Sequence, residues 1–324
     1  MHYPTDINLL FDAMRKLIKL TADYAENNDI IGWRQHQYNI RQVKKAYRNA
    51  QQKKRSTSRD ETRKNQRDKL IAQAYQSYLE LCQQFITKSQ ATLAVAAPYL
   101  SLTDIVLVLQ IESFIQHAQR QIDQIDRRVL QGQKILHDEK VFSLFQPHTE
   151  WISKGKAGVP VELGLKVCVL EDSQGYILHH RVMQHETDNQ IAIDMIAEAR
   201  HKYPTLTACS FDKGFHSPEN QIELAELLEK VVLPKKGRCN KKEHERESSP
   251  DFRSSKKKHS AVESGINALE VHGLDKCLDH GLKGFKRYVA LAVVARNIQK
   301  LGSEIIKAKR LKEERAKARE RKRA

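Results

Sequence analysis

The chain has 324 residues, with 56 Lys and Arg against 40 Asp and Glu and a formal net charge of +16; the length gives room for about two domains with buried cores, and the charge favours a polyanionic partner. Only 13 Gly and 8 Pro, beside 40% apolar residues, exclude a collagenous, Pro-rich or wholly disordered chain. No apolar run reaches the ~18 residues of a membrane span, Met1 is not followed by a leader-type segment, and the five scattered cysteines (Cys82, Cys168, Cys209, Cys239, Cys277) lack CxxC spacing, so a cytoplasmic protein with free thiols is expected.

From Ile7 to about Leu136 apolar residues recur at spacings of three and four, as in Leu9, Leu10, Met14, Leu17 and Ile18, which predicts a long all-helical N-terminal region over 1–136. Residues 41–69 are densely basic, with Ser56, Thr57 and Ser58 marking a break between two helices. That belt reads either as a solvated helix face or as a nucleic-acid contact. Pro98 interrupts the pattern, and Ser101-Leu-Thr-Asp104 offers cap residues for a further helix through Ile111, Phe114, Ile122 and Val129. Trp33 and Trp151 are expected as core or interface anchors. After Gly132 the character changes, and a second domain is expected over 137–302. Segments 141–145, 161–170 and 176–183 read as strands, the last two joined as a hairpin by the turn at 171–175. A helix (188–201), a strand (206–211), a helix (218–228, capped by Ser217) and a strand (231–234) follow. Residues 235–258 read as a mobile basic loop, a helix is expected from about His259 and another over 282–302, and 303–324 forms a basic tail, a solvated or disordered helix.

The densest chemistry lies in Cys209-Ser-Phe-Asp212-Lys213-Gly214-Phe215-His216-Ser217-Pro218, where an apolar strand ends on an Asp, a Gly turns the chain and a capped helix departs. A carboxylate at a strand end suits a hard cation such as Mg²⁺, which takes one or two carboxylates and fills its other sites with water or phosphate oxygens. A second carboxylate, Glu263, lies in Lys256-Lys257-Lys258-His259-Ser-Ala-Val-Glu263, with Val262, Ile266 and Leu269 expected as the buried face and His259 on the side of Glu263. Paired ions held there would activate the attacking oxygen and stabilise the leaving oxygen of a phosphoryl displacement. The plainer alternatives are a turn Asp and a surface helix Glu. His179, His180 and His185 are expected as solvated strand histidines rather than metal ligands, and Cys239 and His244 as loop residues. No GxGxxG, Walker loop, GxSxG or HExxH is present.

The segment from Ser210 to Asn220 resembles the second-Asp motif of bacterial insertion-sequence DDE transposases. Upstream, Ser143-Leu-Phe-Gln-Pro-His-Thr-Glu-Trp-Ile-Ser-Lys154-Gly155-Lys156 and the strand at 161–166 resemble the segment that precedes it in that family. Downstream, Lys258 to Ile266 resembles the glutamate helix, and His272-Gly-Leu with residues 281–300 resembles the closing helix. The resemblance covers about residues 137–302. It implies an α/β fold in which an RNase H-like mixed sheet is flanked by helices, with Asp, Asp and Glu holding two Mg²⁺ (or Mn²⁺) ions for hydrolysis and strand transfer at transposon ends. The second and third acids map onto Asp212 and Glu263, 51 positions apart. Implied partners are double-stranded DNA and further copies of the chain, with a nucleoid-associated location in a bacterial cytoplasm and no membrane.

Two departures stand out. Many relatives carry an Arg four residues before the Glu and a Lys seven after it; here those places hold His259 and Glu270. Backbone contacts with DNA are therefore expected from Lys154, Lys156, Lys213, Lys256, Lys257, Lys258 and His259. The family's first Asp stands on an opening strand just ahead of a segment like His2-Tyr-Pro-Thr-Asp6, where this sequence begins. The expectation is thus a truncated or frame-split transposase lacking the first strand and first Asp, with Asp6 and Asp12 as poor substitutes. Residues 7–136 would then be a helical insertion. The alternatives are a non-catalytic DNA-binding remnant or inhibitor, and a metal nuclease of the same fold without strand transfer.

Overall fold

A computed structural model describes residues 4–95, 101–153, 161–259 and 261–321. The chain divides into two units, Met1–Pro147 and His148–Ala324.

The first unit is helical. Helices α1 (Asp6–Asn27), α2 (His36–Gln52), α3 (Glu61–Ala94) and α4 (Leu102–Ile125) are followed by a π-turn, Asp126–Leu130. Leu10, Met14, Leu17, Ile18 and Tyr24 of α1 are fully buried. A helix this apolar must be surrounded, and α2, α3 and α4 all pack on it. Its few polar contacts are satisfied inside: Tyr47 Oη donates to Asn8 Oδ1 at 2.8 Å, and the buried Trp33 donates from Nε1 to Thr92 Oγ1 at 2.8 Å. Trp33 is thus the core anchor its type suggested. The break at Ser56–Ser58 is present, closed by Asp60 capping α3 through Thr62 N. Ser101 and Asp104 form a reciprocal capping box at the start of α4. Pro98 lies outside the described residues. The strand expected over 141–145 does not form. Val141 and Leu144 instead pack into this helical core, which satisfies their apolar side chains without a partner strand. The helical unit therefore runs to Pro147, beyond the change in composition.

The second unit mixes helices with short sheets. Strands β1 (Glu150–Ser153) and β2 (Val161–Gly164) pair antiparallel, as do β3 (Val167–Glu171) and β4 (Ile177–Val182), while β5 (Ala208–Ser210) and β6 (Lys230–Val232) run parallel. The strand expected over 161–170 is thus two strands that turn to different partners. Among the described residues the strands pair two by two rather than in one mixed sheet. The β3–β4 turn is built by Asp172, whose Oδ1 accepts from Gln174 N and Tyr176 N at 2.8 Å, and by Gly175 at φ +85°.

Helix α5 (Asp188–Lys202) serves both neighbouring pairs. Its Ile191 and Met195 pack with Met183 of the hairpin, and its Ala192 and Ile196 with Phe211, Leu224, Leu228 and Leu233 around β5 and β6. Helix α6 (Pro218–Leu227) joins β5 to β6 and begins as expected, with Ser217 capping and Pro218 in the first turn. The segment read as a loop over 235–258 is instead folded into α7 (Lys241–Ser248) and α8 (Pro250–His259). Asn240 and Glu243 make a capping box, Lys235 pairs with Glu243 at 2.6 Å, and Phe252 supplies one buried anchor. Local capping and a single aromatic therefore outweigh the polar composition. Helix α9 (Ala261–Leu269) ends in a π-turn, Glu270–Leu274, and α10 (Gly281–Arg321) continues through the segment read as a tail.

Candidate metal centre and nucleic-acid interface

Strand β5 is extended by Phe211, whose N donates to Val232 O at 2.9 Å, and Phe211 is buried against Phe215. That packing delivers Asp212 at the end of the parallel pair with an exposed side chain. Its Oδ1 accepts from Lys213 N at 2.7 Å, and residues Lys213–Phe215 make one 3₁₀ turn. Gly214 lets the turn approach α5 closely: a Cβ there would lie 2.5 Å from Asp188 Oδ2, so the Asp188 carboxylate would have to move aside. Asn220 locks the loop from below, donating from Nδ2 to Phe215 O at 2.8 Å and to Asn189 O at 2.7 Å. Asn220 lies inside the motif one turn from its cap, a signal present in the sequence, whereas Asp188 reaches the turn only through the packing of α5.

Ser210 Oγ lies 3.0 Å from His259 Nδ1, which ties the end of β5 to the end of α8. His259 is thereby engaged in holding the fold. It ends α8, whereas Glu263 stands in the first turn of α9, so the two do not share one helix. Glu263 is exposed. The inward face of α9 also differs from expectation, because Leu269 is buried but Ile266 is exposed. Gly265 takes the inward position, with the Glu171 carboxylate pressed where a Cβ would be. Glu171, at the end of β3, has Oε2 buried without a partner, and burial pushes its pKa up, only partly offset by Arg296 and Lys300. No pattern in the sequence pointed to this carboxylate.

Among the described residues no three His, Cys, Asp or Glu side chains gather as a metal-binding group. Asp212 and Glu263 are each exposed carboxylates, hard oxygen donors of the type a divalent cation takes beside water and phosphate. Asp6 and Asp12 sit in the helical unit, Asp6 at 2.8 Å from Arg128 Nε and Asp12 beside Arg15 at 3.7 Å. Lys213, Lys256, Lys257 and Lys258 are exposed. Lys154 and Lys156 lie outside the described residues. Comparison with protein-family models, curated proteins and solved structures finds no match.

Other clusters are internally neutralised. His179 is buried, 2.9 Å from Glu198 Oε2, rather than solvated, and burial lowers the pKa of His180. Arg181 beside them pairs with Glu186, Asp194 and Glu198 in a polar hollow of about 520 Å³ that Lys286 also lines. Burial pushes the Cys168 and Cys209 thiols up to about 12 and raises Cys82 as well, so these thiols stay protonated and unreactive. All five cysteines are free. Cys239 precedes α7 and His244 lies within it, so His244 is helical rather than a loop residue.

In the helical unit α2 carries no acidic residue, and its Arg41, Lys44, Lys45 and Arg48 line a shallow hollow of about 440 Å³ with Asn49 and Gln52. Val43, Tyr47 and Ala50 bury the opposite side. The four cations stand at i, i+3, i+4 and i+7 and form one stripe. No helix among the described residues is long and apolar enough to cross a membrane.

Proposed function

We propose that this protein acts on double-stranded DNA as a transposase of the DDE type, by metal-dependent phosphoryl transfer on an RNase H-like framework. The observation that carries the reading is the conformation of the segment from Ser210 to Asn220. Ser210 is tied to His259, Phe211 is buried, Gly214 sits in a close turn against Asp188, Ser217 caps α6 and Asn220 locks the loop, and together they leave the Asp212 carboxylate exposed at the strand end beside the exposed Lys213. Asp212 and Glu263 would hold Mg²⁺ or Mn²⁺, which would supply charge neutralisation at a phosphoryl oxygen. Lys213, Lys256, Lys257 and Lys258 would steady the DNA backbone by charge, with the α2 stripe as a further contact in the helical unit. The separate β3–β4 and β5–β6 pairs, both packed on α5, fit a mixed sheet that lacks a strand between them.

Incubation of the purified chain with Mn²⁺ and DNA carrying the sequences that flank its gene tests the reading. With only two of the family's three acids assigned, cleavage by this chain alone should be weak, and Asp212→Asn or Glu263→Gln should reduce it at least about 100-fold, the usual scale for losing a group that acts in the transition state; robust cleavage and joining would refute the truncated reading. Cleavage that survives both substitutions would refute the site. Binding without cleavage would favour the second reading, a DNA-binding remnant or inhibitor.

A further inference from the structure

Helix α10 carries two distinct faces. Val289, Ala292 and Val293 are buried, Asn297 exchanges hydrogen bonds with Ile177 N and O at 2.9 Å, and Tyr176 Oη donates to Glu304 at 2.8 Å. That face docks α10 on the β3–β4 hairpin. A second stripe, Leu291, Val294, Ile298, Leu301 and Ile305, is 51–64% exposed at every position and continues to the exposed Ala308. Its spacings of three, four, three, four and three are those of a heptad seam, with Leu291, Ile298 and Ile305 at a and Val294, Leu301 and Ala308 at d. The docked residues Val289, Ala292, Val293, Asn297 and Glu304 fall at f, b, c and g, so the seam at a and d is a separate surface, not the frayed edge of the core.

We infer that α10 pairs in parallel and in register with α10 of a second copy of this chain, through a short two-stranded coiled coil over residues 291–308. Two features select this occupant. Apolar residues at a and d, with Ile at two of the three a positions, favour two parallel strands. The e positions Ala295 and Gly302 are small and let the helices approach. The arrangement sets two copies of the basic segment 307–321 side by side, so salt or a bound polyanion that screens them should tighten the dimer. The inference does not rest on the transposase reading.

Sedimentation velocity of the full chain at micromolar concentration should give a dimer that strengthens with moderate salt. Ile298→Glu with Ile305→Glu should give a monomer of unchanged far-ultraviolet circular dichroism, because both side chains face solvent within one copy. Ile306→Glu, equally exposed but off the seam at b, should remain dimeric. Mild oxidation of Ile305→Cys should yield a covalent dimer, and Ile306→Cys should not. A monomeric parent chain, a dimer that survives the double substitution, or equal crosslinking at 305 and 306 would each overturn the inference.

Discussion

Glu171 is the residue whose environment departs furthest from its type. Its raised pKa means that the folded protein holds the proton more tightly than the unfolded chain does. The carboxyl therefore supports the fold at pH below the ordinary glutamate range, and that support is lost as pH rises through the folded value. Glu171→Gln stays neutral at all pH, so it should raise the melting temperature at pH 7 by a degree or more, roughly the effect of a fraction of a kcal/mol. The gain should vanish in acid, which melting curves between pH 4 and 7 will read. Gly265→Ala should displace the Glu171 carboxylate, so its effect on stability should differ between the parent chain and Glu171→Ala, where the obstacle is gone; a double-mutant cycle measures the coupling, and strict additivity would refute the contact. At this scale Asp212 was legible because a carboxylate after an apolar strand and before Gly and a cap has a recognisable grammar. Glu171 was not, because its burial depends on Gly265, distant in sequence and set against it only by the packing of α9.

Among the elements, those with strong local signals were read closely. The capping boxes and the N-terminal Pro of α6 satisfy orphan amides within one turn, so their information is local. The two short helices over 241–259 replace the expected loop because the Asn240–Glu243 capping pair, an equally local signal, outweighs the polar composition. The strand expected over 141–145 failed for the opposite reason, since an apolar run only becomes a strand when another strand accepts it. The α2 stripe allows a direct measurement at this scale. If Arg41, Lys44, Lys45 and Arg48 each meet a phosphate, changing all four to Ala should reduce the slope of log affinity against log salt by about 3 to 4, uniformly across DNA sequences. An unchanged slope would return the stripe to the role of a solvated helix face.

For the whole molecule, the two units each carry their own buried core, one around α1 and one around α5. Limited proteolysis should therefore cut first between them, near residues 147–148, and release a helical fragment whose circular dichroism persists. Slow, scattered cleavage throughout would argue against separate cores. The sequence alone determined the basic charge, the helical first half, the alternation of short strands and helices in the second, and the placement of Asp212 at a strand end. These follow from composition, from periodicities of two and 3.6, and from caps acting within a few residues. Only the tertiary structure decided which strands pair, that Glu171 lies buried against α9, that His259 is bound to Ser210, and which stripe of α10 stays uncovered. Pairing, burial and exposure are set by contacts between residues far apart in the chain, and local pattern carries no record of which distant surface arrives.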